Sequence, residues 1–169
     1  MGYVHDTQFS QFMGPSDFSF TAGTWTQTIA SNVHKTVRTA NASAFTFSLP
    51  IKIPANAAGL KGCYLKSIDF WYKIATADLT DFASLGLDKM TMTADAVAPT
   101  GAAVTVTLDA AHDTAAERKA QQDGKATITL STPVWIGAND VFVLTGVLDC
   151  AASSVVTIYG ARANFTLRE

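Results

Sequence analysis

The side chains in this chain that are able to do covalent or metal chemistry are few and scattered. The three histidines are His5, His34 and His112, and none stands in an HxH, HxxxH or HExxH spacing that would put two imidazoles on one metal. His112 and Asp113 have the residue types of a general-base dyad. They sit directly before Thr114-Ala115-Ala116-Glu117, a capping box in which the Thr hydroxyl and the Glu carboxylate serve backbone N–H groups. The pair is therefore read as structural. Glutamates occur only at positions 117 and 169, so the two cleft carboxylates of a glycosidase would have to be aspartates. Asp78, Asp81, Asp123 and Asp140 are expected in turns, Asp69 and Asp149 in strands. Asp69 has no second acid or base beside it. Asp88, Asp95 and Asp109 carry oxygens suited to Ca²⁺, but no EF-hand spacing relates them. There is no GxSxG elbow, GxxxxGK[ST] loop or GxGxxG turn. The expectation is a protein without catalytic residues, metal or cofactor.

Non-covalent recognition has more to work with. Trp25, Trp71 and Trp135 are first read as core or interface residues, since tryptophan is large, seldom fully buried and enriched at contacts. Trp71 is the best alternative as an exposed planar glycan contact, because it alternates with Ser67, Asp69 and Lys73 on one strand face. Residues 1–17 mix Tyr3, Phe9 and Phe12 with Gly14-Pro15 and show no strand or helix period. They read as an extended arm that docks its rings, with Phe18, on a neighbouring subunit. Cys63 and Cys150 are far apart in sequence and read as buried thiols. The sequons at Asn41 and Asn164 are taken as accidental, the second lying inside a strand.

Composition bounds the partners. The 169 residues suit one domain, here 18–169 behind the arm. Apolar residues make up 48% and charged residues 15%, with a net charge of −2. There is no basic run of the kind that binds nucleic acid through its phosphates, and no apolar run near the ~20 residues of a membrane span. No secretory leader is recognised at the N-terminus, so synthesis in a cytoplasm is expected.

The elements that must position these residues are strands. Residues 64–74 alternate cleanly: Ile68, Phe70, Tyr72 and Ile74 share one face, Ser67, Asp69, Trp71 and Lys73 the other. Residues 44–53 alternate as well, with Pro50 demanding an edge or a break. Weaker pieces lie in 18–30 and 33–40, and the pieces 89–95 and 103–108 form a hairpin. Further strands follow at 125–130, 134–136 and 141–148, the last apolar on both faces and so expected to be buried on both. The closing strand, 155–167, puts Val155, Thr157, Tyr159, Ala161, Ala163, Phe165 and Leu167 on one face. One short helix is expected near 114–122. Eight to ten short strands and one helix indicate an all-β antiparallel sandwich, with a jelly roll as its expected form.

Five blocks together resemble small virion structural proteins of tailed bacteriophages. They are HDTQFSQF at 5–12, the run 48–77, HDTAAER at 112–118, ITLSTPVWIGANDVFVL at 128–144 and YGARANFTLR at 159–168. The resemblance implies a capsid decoration (cement) protein of the virion. It would act as a homo-oligomer, typically a trimer, bound to the major capsid protein or another virion protein. The alternative is a carbohydrate- or receptor-binding fibre or tail accessory module. No functional residue carries over, as the group has no catalytic motif. On this reading, removal of residues 1–17 leaves a folded, soluble domain that no longer co-sediments with particles.

Overall fold

The computed structural model describes residues 6–53, 62–93 and 98–168. Within them the chain forms β1 (Asp6–Met13), a 3-10 turn (Pro15–Asp17), β2 (Ser19–Phe20), β3 (Trp25–Ala30), β4 (Val33–Arg38), β5 (Ala44–Pro50) and β6 (Cys63–Ala75). There follow β7 (Asp81–Thr91), β8 (Thr100–Val104), β9 (Val106–Leu108), α1 (Ala115–Lys119), β10 (Gln122–Trp135), β11 (Asp140–Asp149) and β12 (Val155–Arg168). The larger sheet runs β3-β4-β12-β6-β10-β9, with β1 also on β12. The smaller runs β2-β5-β11-β7-β8. Every pairing is antiparallel.

The order is that of a jelly roll. Strands β4 to β7 alternate between the sheets. The return strands β8, β10, β11 and β12 alternate in step, so that β7 lies beside β8, β6 beside β10, β5 beside β11 and β4 beside β12. A long double ribbon is thus rolled into two layers.

The core is what the alternation of β6 demands. Ile68, Phe70, Tyr72 and Ile74 are all at most 2% exposed. Rings cross the sandwich in series: Phe18 to Phe47 at 5.7 Å, Phe47 to Phe70 at 5.1 Å, Phe70 to Tyr72 at 5.1 Å and Tyr72 to Phe82 at 5.9 Å. Gly146 sits opposite Phe47, and a Cβ there would strike the phenyl ring. Pro50 ends β5 beyond the short reach of β2, which pairs only with Phe47 and Ser48, so its missing N–H breaks no ladder on that side.

Several expectations change. Residues 6–13 are not a free arm. β1 pairs with β12 from Asp6 to Met13; Phe9 stacks on Phe165 at 5.1 Å and Met13 is fully buried. Phe18 is 7% exposed and belongs to the core rather than to a partner contact, and Tyr3 lies outside the described residues. The helix covers only Ala115–Lys119, because from Gln122 the chain is already paired with β6. Residues 103–108 split. Thr100–Val104 completes the hairpin with β7, while Val106–Leu108 crosses to the larger sheet. β11 packs on one face only, and Val147 is 39% exposed, because a two-layer sandwich offers no third layer to cover it. In β12 the inward face changes phase. Val156 and Ile158 point in, then Ala161, Ala163 and Phe165, since Tyr159 and Gly160 form a bulge opposite β6.

Because Met13 and Phe9 are packed against this chain's own sheet, deletion of residues 1–17 is expected to lower stability by about 2–4 kcal/mol. Urea unfolding of the truncated and full chains measures it; equal midpoints would mean that β1 is dispensable to the sandwich.

Candidate functional site

The outer face of the larger sheet carries the polar half of β6. Register aligns Phe12 of β1, Arg162 of β12, Asp69 of β6 and Thr127 of β10 in one row across four strands. Asp69 is 4% exposed although it faces outward. Its Oδ2 accepts from Arg162 Nη2 at 2.7 Å, Arg162 Nε at 3.2 Å and Asn164 Nδ2 at 3.2 Å. Its Oδ1 accepts from Thr127 Oγ1 at 3.0 Å and pairs with Lys125 Nζ at 3.1 Å. Burial by itself would raise the pKa; donation from Arg162, Lys125, Asn164 and Thr127 outweighs it and lowers the carboxyl to about 2. Both oxygens are taken, so Asp69 stitches three strands together and does not present a free base.

Trp71 stands one row away, partly exposed. The Arg162 guanidinium lies 5.5 Å over its ring and Phe12 contacts it at 6.1 Å, tilted by 41°. Phe12 is 55% exposed. Its ring and the Met13 carbonyl lie against Gly160, where a Cβ would strike the carbonyl; the φ of +138° there also suits glycine.

Beside this stack, β1 and β4 part company over the bulge of β12 and leave a groove of about 790 Å³. Phe12, Pro15, Ile29, Val33 and Tyr159 supply its apolar lining; Gln27, Asn32, His34 and Lys35 supply polar groups. Ile29 is 67% and Val33 46% exposed. They flank the tip of the β3–β4 hairpin, whose turn residues Ser31 and Asn32 both have positive φ, as a two-residue hairpin turn requires. Burial, with a smaller contribution from Asp123 and an opposing one from Lys73, raises the Tyr159 pKa, so its hydroxyl remains a donor. Phe12 is common to the groove and the Trp71 stack, which makes them one continuous surface.

Most of the remaining candidates serve the fold, although Trp135 stays 46% exposed. His112 pairs with Asp109, not Asp113. Its Nδ1 is 2.6 Å from Asp109 Oδ1 and its Nε2 2.9 Å from Gln122 Oε1, and Gln122 Nε2 donates to the Tyr72 hydroxyl at 2.7 Å. Both ring nitrogens are engaged and the ring is buried. Thr114 and Glu117 form the expected capping box. Asp109 also accepts from the backbone N–H of Thr127 and Ala111, and Asp88 from Thr145, so their oxygens serve the fold; Asp95 lies outside the described residues. Asp81, Asp123 and Asp140 are strand residues rather than turn residues. Among the described residues no three His, Cys, Asp or Glu side chains are placed to hold a metal. Cys63 and Cys150 are buried free thiols, and burial raises the pKa of each. Trp25 stacks on Phe20 at 3.6 Å, and Trp135 meets Tyr64 edge-on at 4.6 Å. Sequence reasoning singled out Trp71 as a possible glycan contact and Phe12 as an arm contact, and did not single out Tyr159, Ile29 or Val33. The marker for Tyr159 was the glycine after it, which in a strand often signals a bulge.

No family model and no curated protein matches the sequence. Among solved structures, the chain is similar to a low-affinity xylan-binding module from Roseburia intestinalis. Identity is 12% and the TM-score 0.38, over 92% of this chain and 94% of that one. It is also similar to the enzymatically active domain of tailspike protein 4 of bacteriophage CBA120, at 11% identity and TM-score 0.40, over 87% of this chain and 19% of that one. A third is basic winged bean lectin with Tn-antigen, at 11% identity and TM-score 0.37, over 96% and 99% of the two chains. Likeness at this level carries no functional argument.

The Asp69 cluster sets a pH signature. The folded pKa of about 2 lies below the ordinary value of about 3.9. The stabilisation is therefore full above pH ~4 and is lost as pH falls from ~4 towards ~2. Asp69→Asn is expected to be less stable than the parent by ~1–3 kcal/mol at neutral pH. The gap should close over that acid window in urea titrations; a gap independent of pH would refute the assignment.

Proposed function

We propose that this protein is a non-catalytic carbohydrate-binding module that takes its ligand on the surface formed by Phe12, Trp71, Tyr159 and the adjoining groove. The observation that carries the reading is an exposed aromatic ring, Phe12 at 55%, beside the partly exposed Trp71 on a sheet face built otherwise mostly of polar and paired charged side chains. A pyranose ring has an apolar C–H face and a rim of hydroxyls. Aromatic rings receive the first, and amide, hydroxyl and cationic side chains the second. Here Asp69 locks Arg162 and Asn164 in place, so the polar groups around the rings are preorganised.

The sequence resemblance supplies the setting, a bacteriophage particle, in which such a module would attach the virion to surface polysaccharide. Homo-oligomerisation, for instance as a trimer, would raise a weak single-site affinity through avidity. The alternative of a decoration protein clamped to a capsid shell is served less well. It needs the N-terminal segment to reach outward, whereas residues 6–13 are spent on β12.

Phe12→Ala and Trp71→Ala are each expected to weaken retention on polysaccharide about tenfold, the effect of ~1.4 kcal/mol. Affinity electrophoresis against a polysaccharide panel is the measurement, with circular dichroism confirming the fold. Unchanged retention in both variants would sink the reading.

A further inference from the structure

We infer that the groove beside Phe12 selects a sugar bearing a carboxylate; this rests on the glycan-binding reading above and specifies its ligand class. The chain as a whole is slightly acidic, with a net charge of −2. The groove is not. Its lining includes Lys35 and His34 and no carboxylate. The nearest acids on neighbouring elements are already neutralised. Asp17, in the 3-10 turn under the groove, pairs with Lys52 at 2.7 Å and accepts from the Gly14 N–H at 2.9 Å. Asp123, which the Tyr159 hydroxyl senses, pairs with Lys73 at 2.8 Å. Asp69 is filled by Arg162 and Lys125.

Lys52, Lys73 and Lys125 each hold a carboxylate. Lys35, Lys66 and Lys119 hold no carboxylate within ion-pair distance among the described residues, and of these three only Lys35 lines the groove. Lys35 is only partly exposed there. An unpaired ammonium at the edge of an apolar, ring-lined trough suits a uronic or sialic type of sugar. The apolar ring face lies on Phe12 and Tyr159, the carboxylate meets Lys35, and Asn32 at the hairpin tip takes a hydroxyl. A neutral sugar would use the rings but leave the cation unanswered.

The test uses the full chain on an array that pairs uronate- and sialate-containing glycans with their carboxyl-reduced counterparts, followed by calorimetry on the strongest pair. The acid forms are expected to bind about two- to fivefold tighter, as one partly screened charge pair predicts. The preference should shrink with added salt, vanish in Lys35→Gln and persist in Lys35→Arg. If the carboxyl-reduced forms bind as well as the acids, the inference falls and the glycan-binding reading stands. If no glycan of either kind is retained, both fall.

Discussion

Along one edge of β12 the backbone hydrogen bonds go to β4 over Val156–Ile158 and to β1 over the residues from Ala161 to Arg168. Two strands cannot approach the same stretch of edge, so they separate where the partners change, and β12 bulges there at Tyr159-Gly160. The bulge re-aims the strand. It turns Tyr159 outward, leaves Gly160 bare, and lets Phe12 settle over that bare backbone against Trp71. The groove and the ring stack are both consequences of this single sharing of an edge.

The fold handles its buried charges in three ways. Asp69 lies under a polar face and is surrounded by donors, two of them cationic. Arg118 is 6% exposed and donates to the carbonyls of Phe82, Ala83, His112 and Asp113, which ties α1 to β7 without any carboxylate. Arg38 is fully buried and donates to the Asn41 and Ser43 carbonyls and to the Ser43 hydroxyl while lying 5.1 Å over Phe45. Among the described residues its Nε has no partner, and it faces Gly23, whose φ of +94° and missing Cβ leave room for the guanidinium. Burying a charge is costly unless it is hydrogen-bonded, and in each case backbone carbonyls or a dense donor set supply the compensation. None leaves a reactive group open to a substrate.

This accounts for a surface that is low in charge but not inert. On the outer face Lys73 and Lys125 are committed to aspartates, while Lys35 and Lys66 hold no carboxylate among the described residues, so the face offers shape, rings and amides with a few isolated cations. Recognition built from such groups suits a neutral backbone with occasional acidic substituents better than a polyanion, which would call for clustered cations.

Most of the strands were legible in the sequence, because a period of two is written in contiguous residues, but β1 and the first part of β7, whose residues do not alternate cleanly, were not. Residues 64–74 declared their inner and outer faces, and Thr114 with Glu117 declared the start of the helix. Pairing partners are distant in the chain, and only tertiary structure decided them. It placed His112 with Asp109 instead of Asp113, folded residues 6–13 onto β12 instead of a neighbour, and shifted the phase of β12 at a bulge that local alternation could not register. The proposed binding surface belongs to that second kind of information. It joins Phe12, Trp71 and Tyr159 through the register of three strands, and a one-residue slip in any of them would turn its ring to the other face.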